Sequence, residues 1–128
     1  MQIRVYYEDT DCGGIVYHTN YLKYCERARS ELFFSNGVMP NTDRIGLVVR
    51  HIECDFLDSA KLGDLLNIDS KILKLGKSSI TLKQSINLNN KVIFEATIKL
   101  ACIDIIDKKI EKIPSTILKI LEIMQNEK

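Results

Sequence analysis

The stretch that decides the fold is YYEDTDCGGIVYHTNYLKYCERARSELFFS, residues 6–35. It begins with a carboxylate-rich segment, passes through two adjacent glycines and a polar-aromatic run, and continues with helical spacing. Glycine lacks a Cβ atom, so the backbone can approach a ligand closely at Gly13 and Gly14. The start of the following helix offers free N–H groups and the positive end of the helix dipole. A carboxylate near such donors, with a histidine beside it, can promote attack on a carbonyl group.

Apolar residues at helical spacing follow the glycines and predict an α-helix over residues 20–36. Thr19 and Asn20 are both favourable N-cap residues, and Gly37 is a natural helix end because glycine tolerates positive φ. The residues that recur every three or four positions are Tyr21, Leu22, Cys25, Ala28 and Leu32. The helix therefore has one apolar stripe that must pack against another element.

Length and composition favour a single domain over residues 1–128. The chain has 128 residues, of which 45% are hydrophobic, so it can bury a real core. Folding would still be marginal without oligomerisation if that core is mostly one face of a sheet. The formal net charge is +1, from 18 basic and 17 acidic residues, which argues against a general nucleic-acid-binding protein.

The cysteines and the apolar runs indicate a cytoplasmic protein. The four cysteines are far apart in the sequence and form no C-x-x-C pair, which fits free thiols in a reducing compartment. No apolar run approaches the ~20 residues that a membrane-spanning helix needs. Met1 leads directly into a strand-like segment, and no basic and apolar signal peptide precedes it.

Strand-like alternation dominates the rest of the chain. Residues 2–8 alternate apolar and polar side chains, which predicts a half-buried strand. The same period of two predicts four more strands, over residues 47–57, 65–75, 78–88 and 91–105. Pro114 then opens a short amphipathic C-terminal helix. The predicted order is β-α-β-β-β-β-α, an α+β class in which curved antiparallel strands wrap around the helix over residues 20–36.

The signature within this stretch resembles that of one enzyme family. YYEDTDCGGIVYHTNYLKYCERAR, residues 6–29, is similar to the hotdog-fold acyl-CoA thioesterases. Within them it resembles the bacterial branch associated with the Tol–Pal gene cluster, related to 4-hydroxybenzoyl-CoA thioesterase. The matching pattern is D-x-x-G-x-V-Y-H-x-N-Y followed by E-x-A-R, and LGKSS before a later strand fits as well. The resemblance covers nearly the whole chain.

This resemblance implies a fold, an assembly and a reaction. The fold would be a curved antiparallel sheet around one long helix, and protomers would pair edge to edge into dimers, often with two dimers in a tetramer. The family hydrolyses acyl-CoA thioesters with neither a metal nor an organic cofactor. Asp11 matches its catalytic carboxylate, and the backbone N–H that polarises the carbonyl group falls on His18. The active sites of the family lie at the dimer interface, so a partner chain should contribute residues.

Thioester hydrolysis needs little more than a positioned nucleophile or base and a site for the oxyanion, because the carbonyl is electrophilic and a thiolate leaves easily. Asp11 could attack directly and form a mixed anhydride, or it could activate a water molecule. Backbone N–H groups between Gly14 and His18 would hold the developing negative charge. The His18 side chain could orient Asp11, orient water or protonate the leaving thiolate.

Plain structural roles remain open for the same residues. Asp11 could simply cap the turn or the helix, as loop aspartates often do, and His18 could be a hydrogen-bonded packing residue. Tyr7, the third catalytic candidate, lies on the strand before the loop and is favoured as a core or supporting residue over a proton donor. Glu8 and Asp9 are favoured as ordinary solvated charges.

Substrate contacts are expected from the loop, the start of the helix and the basic strand ends. The candidates in the loop and helix are Gly14, Val16, Tyr17, Asn20 and Tyr21, the last two also serving as helix cap and anchor. The candidates for the CoA phosphates are Arg50, Lys74, Lys77 and Ser78; the three basic residues are favoured as solvated charges, and Ser78 could merely end a turn. Glu26 and Arg29, three residues apart on the helix, would form an ion pair, within the chain or across a dimer, or an ordinary surface pair.

Two further functions compete with hydrolysis. The chain could be an adaptor that binds acyl chains or acyl carrier protein in envelope lipid synthesis with little turnover, or it could dehydrate hydroxyacyl thioesters. Dehydration needs a differently placed histidine and acid and yields an enoyl product. A metal site from Cys12, His18, Cys25 and His51 lacks the spacing of metal ligands. The sequence leaves the acyl chain length and the choice between CoA and acyl carrier protein open.

Overall fold

A sheet of antiparallel strands and one long helix form most of the structure, a computed structural model that describes residues 1–126. The strands are β1 (Gln2–Arg4), β2 (Ile45–Phe56), β3 (Leu65–Leu75), β4 (Ser79–Leu88), β5 (Lys91–Asp104) and β6 (Lys109–Ile110). The helices are α1 (Thr19–Phe34) and α2 (Ser115–Asn126), with a single 3-10 turn at Tyr7–Asp9. The predicted order β-α-β-β-β-β-α is confirmed, and the two-residue β6 is an unpredicted addition. The single domain over residues 1–128 stays a prediction, and residues 127 and 128 lie outside the described part.

The strand order determines which edges of the sheet are open. The order is β1-β3-β4-β5-β2, with β6 pairing with β5, and every pair is antiparallel. One edge is therefore the three-residue β1, whereas the other is the twelve-residue β2. Within residues 1–126, the outer side of β2 pairs with no strand. A long unpaired edge is a ready template for another chain.

Helix α1 fills the concave side of the sheet and packs against β3 and β4. Its buried residues are Tyr21, Tyr24, Cys25, Ala28 and Phe33. The predicted stop is confirmed: Gly37 has a φ of +71°, and the N–H of Val38 donates to the carbonyl of Phe33 at 3.0 Å. The predicted N-caps are wrong, because the helix begins at Thr19 and His18 occupies the cap position without a side-chain capping bond.

The core lies between this helix and the inward faces of β3, β4 and β5. The largest fully buried apolar side chains include Tyr24, Phe94, Leu66, Ile80, Leu82, Ile86, Ile93 and Ile98. The alternation predicted for β4 and β5 is therefore confirmed over most of both strands. Val92 departs from it and is 36% exposed, because the pairing of β4 with β5 shifts register between Ile86 and Asn87.

The first strand is shorter than predicted for a local reason. It ends at Arg4, and the chain then turns back on itself. The Tyr6 N–H donates to the Asp9 carboxylate at 2.9 Å, and the Asp9 N–H donates to the Tyr6 carbonyl at 3.0 Å. These local bonds compete with sheet pairing, so the strand predicted over residues 2–8 becomes a strand followed by a 3-10 turn.

One buried polar side chain ties the helix to the sheet. Gln84 on β4 is fully buried, and its Nε2 donates to the Cys25 carbonyl and to Ser70 Oγ, both at 2.9 Å. Its Oε1 accepts a hydrogen bond of 2.9 Å from Arg29 Nη1. A buried amide is stable only when its donors and acceptor are satisfied. The three partners of Gln84 therefore fix the position of α1 along β3 and β4.

The turn between β5 and β6 depends on a carboxylate. Asp104 Oδ1 accepts hydrogen bonds from the N–H groups of Ile106 and Asp107, each at 2.9 Å. Asp104 Oδ2 lies 3.0 Å from Nη2 of Arg44. The Asp107 and Ile106 N–H groups, together with the Arg44 guanidinium, hold the pKa of Asp104 below its ordinary value. None of the helices in residues 1–126 is long and apolar enough to span a membrane.

We expect Asp104→Asn to change how stability depends on pH. Because the folded pKa lies below the unfolded value of 3.8, the carboxylate stabilises the fold above about pH 4, and this contribution is lost as pH falls further. The difference in free energy of unfolding between wild type and variant should be constant from neutral pH to about pH 5 and shrink below about pH 4. Urea unfolding across this range measures it; a difference that stays constant to the lowest pH would contradict the assignment.

Candidate active site

The segment before α1 closes into a tight loop with Asp11 at its base. The Asp11 N–H donates to the Ile15 carbonyl at 2.9 Å, and the Gly14 N–H donates to the Asp11 carbonyl at 3.0 Å. Thr10 and Val16 face each other across the loop as an isolated antiparallel bridge. Gly14 has a φ of +81°, a conformation that side-chain-bearing residues rarely adopt. The loop geometry thus explains the glycine at this position.

The Asp11 carboxylate uses one of its oxygens in the turn. Oδ1 accepts a hydrogen bond of 2.8 Å from the Gly13 N–H, and a Cβ atom at Gly13 would lie only 3.2 Å from the same oxygen. The expected turn-capping role is therefore present. Oδ2 accepts no hydrogen bond from the described residues, and Asp11 is exposed in the single chain. The capping role and a chemical role are compatible, because they need different oxygens.

Most of the backbone N–H groups expected to face a ligand are already engaged. Besides that of Gly14, the N–H of Val16 donates to the Ala60 carbonyl at 2.8 Å and that of Tyr17 to the Asp9 carbonyl at 2.9 Å. The N–H of His18, at the cap of α1, donates to no acceptor in residues 1–126. His18 therefore supplies a free donor at the positive end of the helix dipole.

The His18 ring packs against aromatic side chains. Its centroid lies 4.7 Å from that of Tyr17 and 6.0 Å from that of Phe56, in an edge-on arrangement with Phe56. The ring forms no hydrogen bond with Asp11 among the described residues, and His18 is exposed. In the single chain the histidine is thus an exposed aromatic packing residue at the rim of the site.

An aromatic cluster forms the floor beneath this rim. Phe56, at the end of β2, lies 5.2 Å from Phe94, and Tyr21 stacks on Phe94 with centroids 5.4 Å apart. The Tyr21 hydroxyl accepts a hydrogen bond of 3.0 Å from the Ala60 N–H. Burial raises the pKa of Tyr21, partly offset by that hydrogen bond. Tyr21 is thus the expected helix anchor, and Phe56, half exposed, is a site residue that the sequence did not single out.

Asp9 is the clearest error of the sequence interpretation. The sequence favours a solvated charge at this position, but Asp9 is only 7% exposed. Its carbonyl accepts a hydrogen bond of 2.8 Å from Asn20 Nδ2. Its carboxylate lies near the buried Tyr24 hydroxyl. Burial and this carboxylate raise the pKa of Tyr24. The available signal was the spacing of three between Tyr6 and Asp9, which is typical of a side chain that caps a short helical turn.

Val16, a candidate substrate contact in the loop, is buried, whereas Tyr7 and Glu8 before the loop are exposed. Tyr7 is 80% exposed in the 3-10 turn, so a place in the core is wrong for the single chain, whereas its supporting or catalytic role stays a prediction. The reason is that the strand ends before Tyr7 and no longer directs it inward. Glu8 is exposed, as expected.

The basic candidates lie far from the loop within one chain. Phe56, beside His18, pairs with Phe94 on β5, whereas Ser79 pairs with Ala101 at the other end of that strand. At ~3.3 Å per residue the two positions on β5 are about 23 Å apart. Ser78 and the two neighbouring lysines, Lys74 and Lys77, share this distant end, and the exposed Arg50 lies midway along β2.

The described part of the chain brings together no three His, Cys, Asp or Glu side chains that could hold a metal ion. The arrangement that remains is a free carboxylate oxygen, a free backbone N–H at a helix start and an aromatic floor, all at one end of the sheet. Such a set can position a nucleophile and stabilise an oxyanion.

The fold and this loop define a hotdog thioesterase architecture, as the resemblance implied. A family model described as the thioesterase superfamily matches residues 13–90, and the chain belongs to that superfamily. The α+β class with a curved sheet around one long helix is thereby confirmed.

Curated relatives carry more specific names. The chain is 52% identical over 86 residues to an acyl-CoA thioesterase YbgC of Helicobacter pylori, a match covering 67% of this chain and 65% of that protein. It is 36% identical over 121 residues to an acyl-CoA thioester hydrolase YbgC of Escherichia coli, covering 91% of this chain and 90% of that protein. A probable thioesterase from Bartonella henselae has a similar structure, with a TM-score of 0.82, 31% identity and coverage of 89% of this chain and 97% of that one.

We expect Asp9→Ala to destabilise the fold by about 1–3 kcal/mol, because the variant leaves the Tyr6 N–H without its acceptor. The matched control is Glu8→Ala, an exposed neighbour whose loss should change the free energy of unfolding by less than about 0.5 kcal/mol. Urea unfolding of both variants measures the difference. Equal effects of the two substitutions would show that the buried Asp9 contacts contribute nothing to stability.

Proposed function

We propose that this protein hydrolyses acyl-CoA thioesters to a free carboxylic acid and CoA. The observation that carries the proposal is the loop in which Asp11 Oδ2 is free while the His18 N–H is also free at the helix start. The names of the Helicobacter and Escherichia relatives support the same reaction.

In the proposed mechanism the thioester oxygen accepts a hydrogen bond from the His18 N–H. That donor and the helix dipole stabilise the oxyanion, and loss of one such donor typically costs ~10²–10³ in rate. Asp11 Oδ2 either attacks the carbonyl carbon, giving an anhydride that water then hydrolyses, or removes a proton from an attacking water. In both routes the C–S bond breaks and CoA leaves as a thiolate that takes up a proton. The hydrogen bond from Gly13 holds the carboxylate in place.

The proposal includes a homodimer formed through β2. Two identical strands related by a two-fold axis pair antiparallel, which places the Phe56 end of each copy beside the Ile45 end of the other. Lys77, Ser78 and Lys74 of one copy would then approach the loop of the second copy. In the dimer these residues and Arg50 are the candidates to bind the CoA phosphates. Gly14, Val16, Tyr17 and Asn20 form the loop and helix start beside the thioester.

The proposed reaction uses no cofactor, and the proposed compartment is the cytoplasm. The four cysteines are free, with Cys25 and Cys102 buried, and burial raises the pKa of the Cys25 thiol to about 12. Buried thiols of this kind are unreactive structural groups. Free cysteines are typical of a reducing compartment. The carrier of the acyl group in the proposal is CoA, with acyl carrier protein as a second carrier to be tested.

We expect Asp11→Asn to lower kcat by about 10²–10⁴-fold, because the variant keeps an acceptor for Gly13 but loses the carboxylate that attacks or removes a proton. The control is Glu8→Gln, which removes an exposed carboxylate three residues away and should leave kcat unchanged. Thiol release across short, long and aromatic acyl-CoAs measures both variants, and circular dichroism checks the fold. Turnover near that of wild type in Asp11→Asn, with contaminating thioesterases excluded, would reject the role of Asp11.

The proposed dimer can be tested by measuring the molecular mass of the protein in solution. Since the chain is 14.7 kDa, light scattering should give at least twice that mass at the concentrations used for the assay. We expect a dimer because the edge of β2 is open and because Asp11 and His18 are exposed in the single chain. A fully active species with the mass of one chain would contradict a shared site.

A further inference from the structure

The outer face of the sheet, on the side away from α1, changes character along its strands. Neither helix covers this face within residues 1–126, because α1 packs against the inner side and α2 packs against α1 and β3. Residues that pair directly across antiparallel strands share a face, so the strand register sorts the outward side chains into rows. One row is acidic: Asp55 pairs with Glu95, and Ser85 joins Glu95 to Asp69.

A basic row follows further along β5. Lys99 pairs with Thr81 on β4, and Thr81 pairs with Lys74 on β3. Both lysines are exposed, and neither forms an ion pair with a carboxylate among the described residues. At ~3.3 Å per residue this row lies about 13 Å from the acidic one. Its two ammonium groups are therefore available to an external anion.

An apolar row completes the face where β5 and β6 form a hairpin. Ile103 pairs with Ile110, and Val48 pairs with Ala101 two residues earlier on β5. Ile110 is 64% exposed, and Ile106 at the tip of the hairpin is 62% exposed. We call Val48, Ile103, Ile106 and Ile110 the hairpin patch. Exposed aliphatic side chains concentrated in this way are typical of a surface that another molecule covers.

The hairpin that carries the patch presents positive charge. Its two aspartates, Asp104 and Asp107, both pair with Arg44, at 3.0 and 2.9 Å. Lys108 and Lys109 follow and are exposed, with no carboxylate partner in the part of the chain that the structure describes. The acidic groups of the hairpin are thus neutralised by Arg44, whereas its lysines are not neutralised.

Glu111, which follows the hairpin, points to the other face of the sheet. Its N–H donates to the carbonyl of Cys102 at 2.9 Å, which places Glu111 beside a residue of the core. Burial and the Glu111 carboxylate raise the pKa of the Cys102 thiol. Ile110 precedes Glu111 and points outward, because successive side chains of an extended chain alternate. The hairpin patch therefore contains no carboxylate from this segment.

An apolar patch with cations around it matches the surface of an anionic lipid bilayer. Aliphatic side chains partition below the lipid headgroups, while lysines beside them contact the lipid phosphates. Each lysine near such a surface typically strengthens binding about fivefold. The carboxylate of Glu95 in the acidic row lies about 26 Å from Ile103 along β5. This distance exceeds two Debye lengths at physiological ionic strength, ~8 Å each, so the acidic row does not oppose the contact.

A second copy of the chain fits the hairpin patch less well. A two-fold interface brings the same surface of both copies together. Lys108 and Lys109 of one copy would then face those of the other, and like charges at an interface are unfavourable. An anionic surface meets the same lysines with opposite charge.

We propose that the hairpin patch inserts into the surface of an anionic lipid bilayer, with the lysines of the hairpin and of the basic row against the lipid phosphates. The protein is then a peripheral membrane protein that the β5–β6 hairpin holds at the bilayer. This inference does not depend on the proposed hydrolysis, because lipid binding is measured without turnover.

The first experiment uses the lack of tryptophan in the chain. Ile106→Trp introduces a single tryptophan at the hairpin tip, and Ile123→Trp introduces one at a similarly exposed position of α2, where the isoleucine is 51% exposed. With vesicles of phosphatidylcholine and about 30 mol % phosphatidylglycerol, the emission of Ile106→Trp should shift to shorter wavelength and be quenched by brominated acyl chains. The control should show neither change. A tip tryptophan that stays in water would overturn the inference.

The second experiment measures the contribution of the aliphatic side chains by cosedimentation with the same vesicles. Ile106→Ser combined with Ile110→Ser should weaken the partition of the protein at least about tenfold, because burial of two isoleucines is lost. Ile123→Ser is the control and should leave the partition unchanged. An equal loss in the control would show that binding is not localised to the hairpin and would contradict the inference.

The third experiment measures the contribution of charge. Lys108→Gln combined with Lys109→Gln should weaken the partition about 10–25-fold, from about fivefold for each lysine. The control combines Lys23→Gln with Lys119→Gln, which removes the same charge from exposed positions of the two helices, and should bind as wild type does. Equal binding of wild type to phosphatidylcholine alone and to the anionic vesicles would overturn the role of the lysines and the inference with it.

The remaining outcomes separate this inference from its rival and from the proposed function. If Ile106→Ser with Ile110→Ser lowers the mass of the protein in light scattering without lipid, the hairpin patch is an interface between copies and the inference is wrong. Circular dichroism checks that each variant is folded. Wild type that binds the anionic vesicles but hydrolyses no thioester would leave the inference in place and reject the proposed function.

Discussion

The position of α1 on the sheet depends on the buried side chain of Gln84. Its amide has to be satisfied because it is fully buried, and Cys25, Ser70 and Arg29 supply the partners from the helix and from β3. Apolar packing alone would allow the helix to slide along the sheet, since hydrophobic contacts are not directional. The hydrogen bonds of Gln84 restrict that freedom and hold α1 at one position along β3 and β4.

In the proposed mechanism Asp11 serves both the fold and the chemistry. Asp11 caps its own turn through one carboxylate oxygen, and this bond restricts the orientation of the other. The backbone N–H groups of Val16 and Tyr17 hold the loop against Ala60 and Asp9, which leaves the N–H of His18 open at the helix start. A donor and a carboxylate held by backbone bonds need little rearrangement during reaction, and such preorganisation is the main source of electrostatic stabilisation in active sites.

The two ends of β2 differ in what lies beside them. The Asp11 loop and the aromatic floor lie at the Phe56 end of β2, and a cavity of about 440 Å³ lined in part by Leu47 and Leu100 lies at the Gly46 end. The open edge of β2 between them is the element that a two-fold axis can use to join the ends of two copies. In the proposed dimer, this pairing would also cover the exposed edge of β2.

Local pattern in the sequence determined the element order, the strand alternation, the glycine stop after α1 and the loop that carries Asp11 and His18. These features depend on neighbouring residues, through periodicity, turn chemistry and helix ends, and the signature placed the chain in its superfamily. Tertiary structure alone decided the turn of Arg29 toward Gln84 and the distance of Lys77 from the loop. Each of these depends on which distant segment packs against the residue, and the periodicity of a segment carries no information about its distant partners.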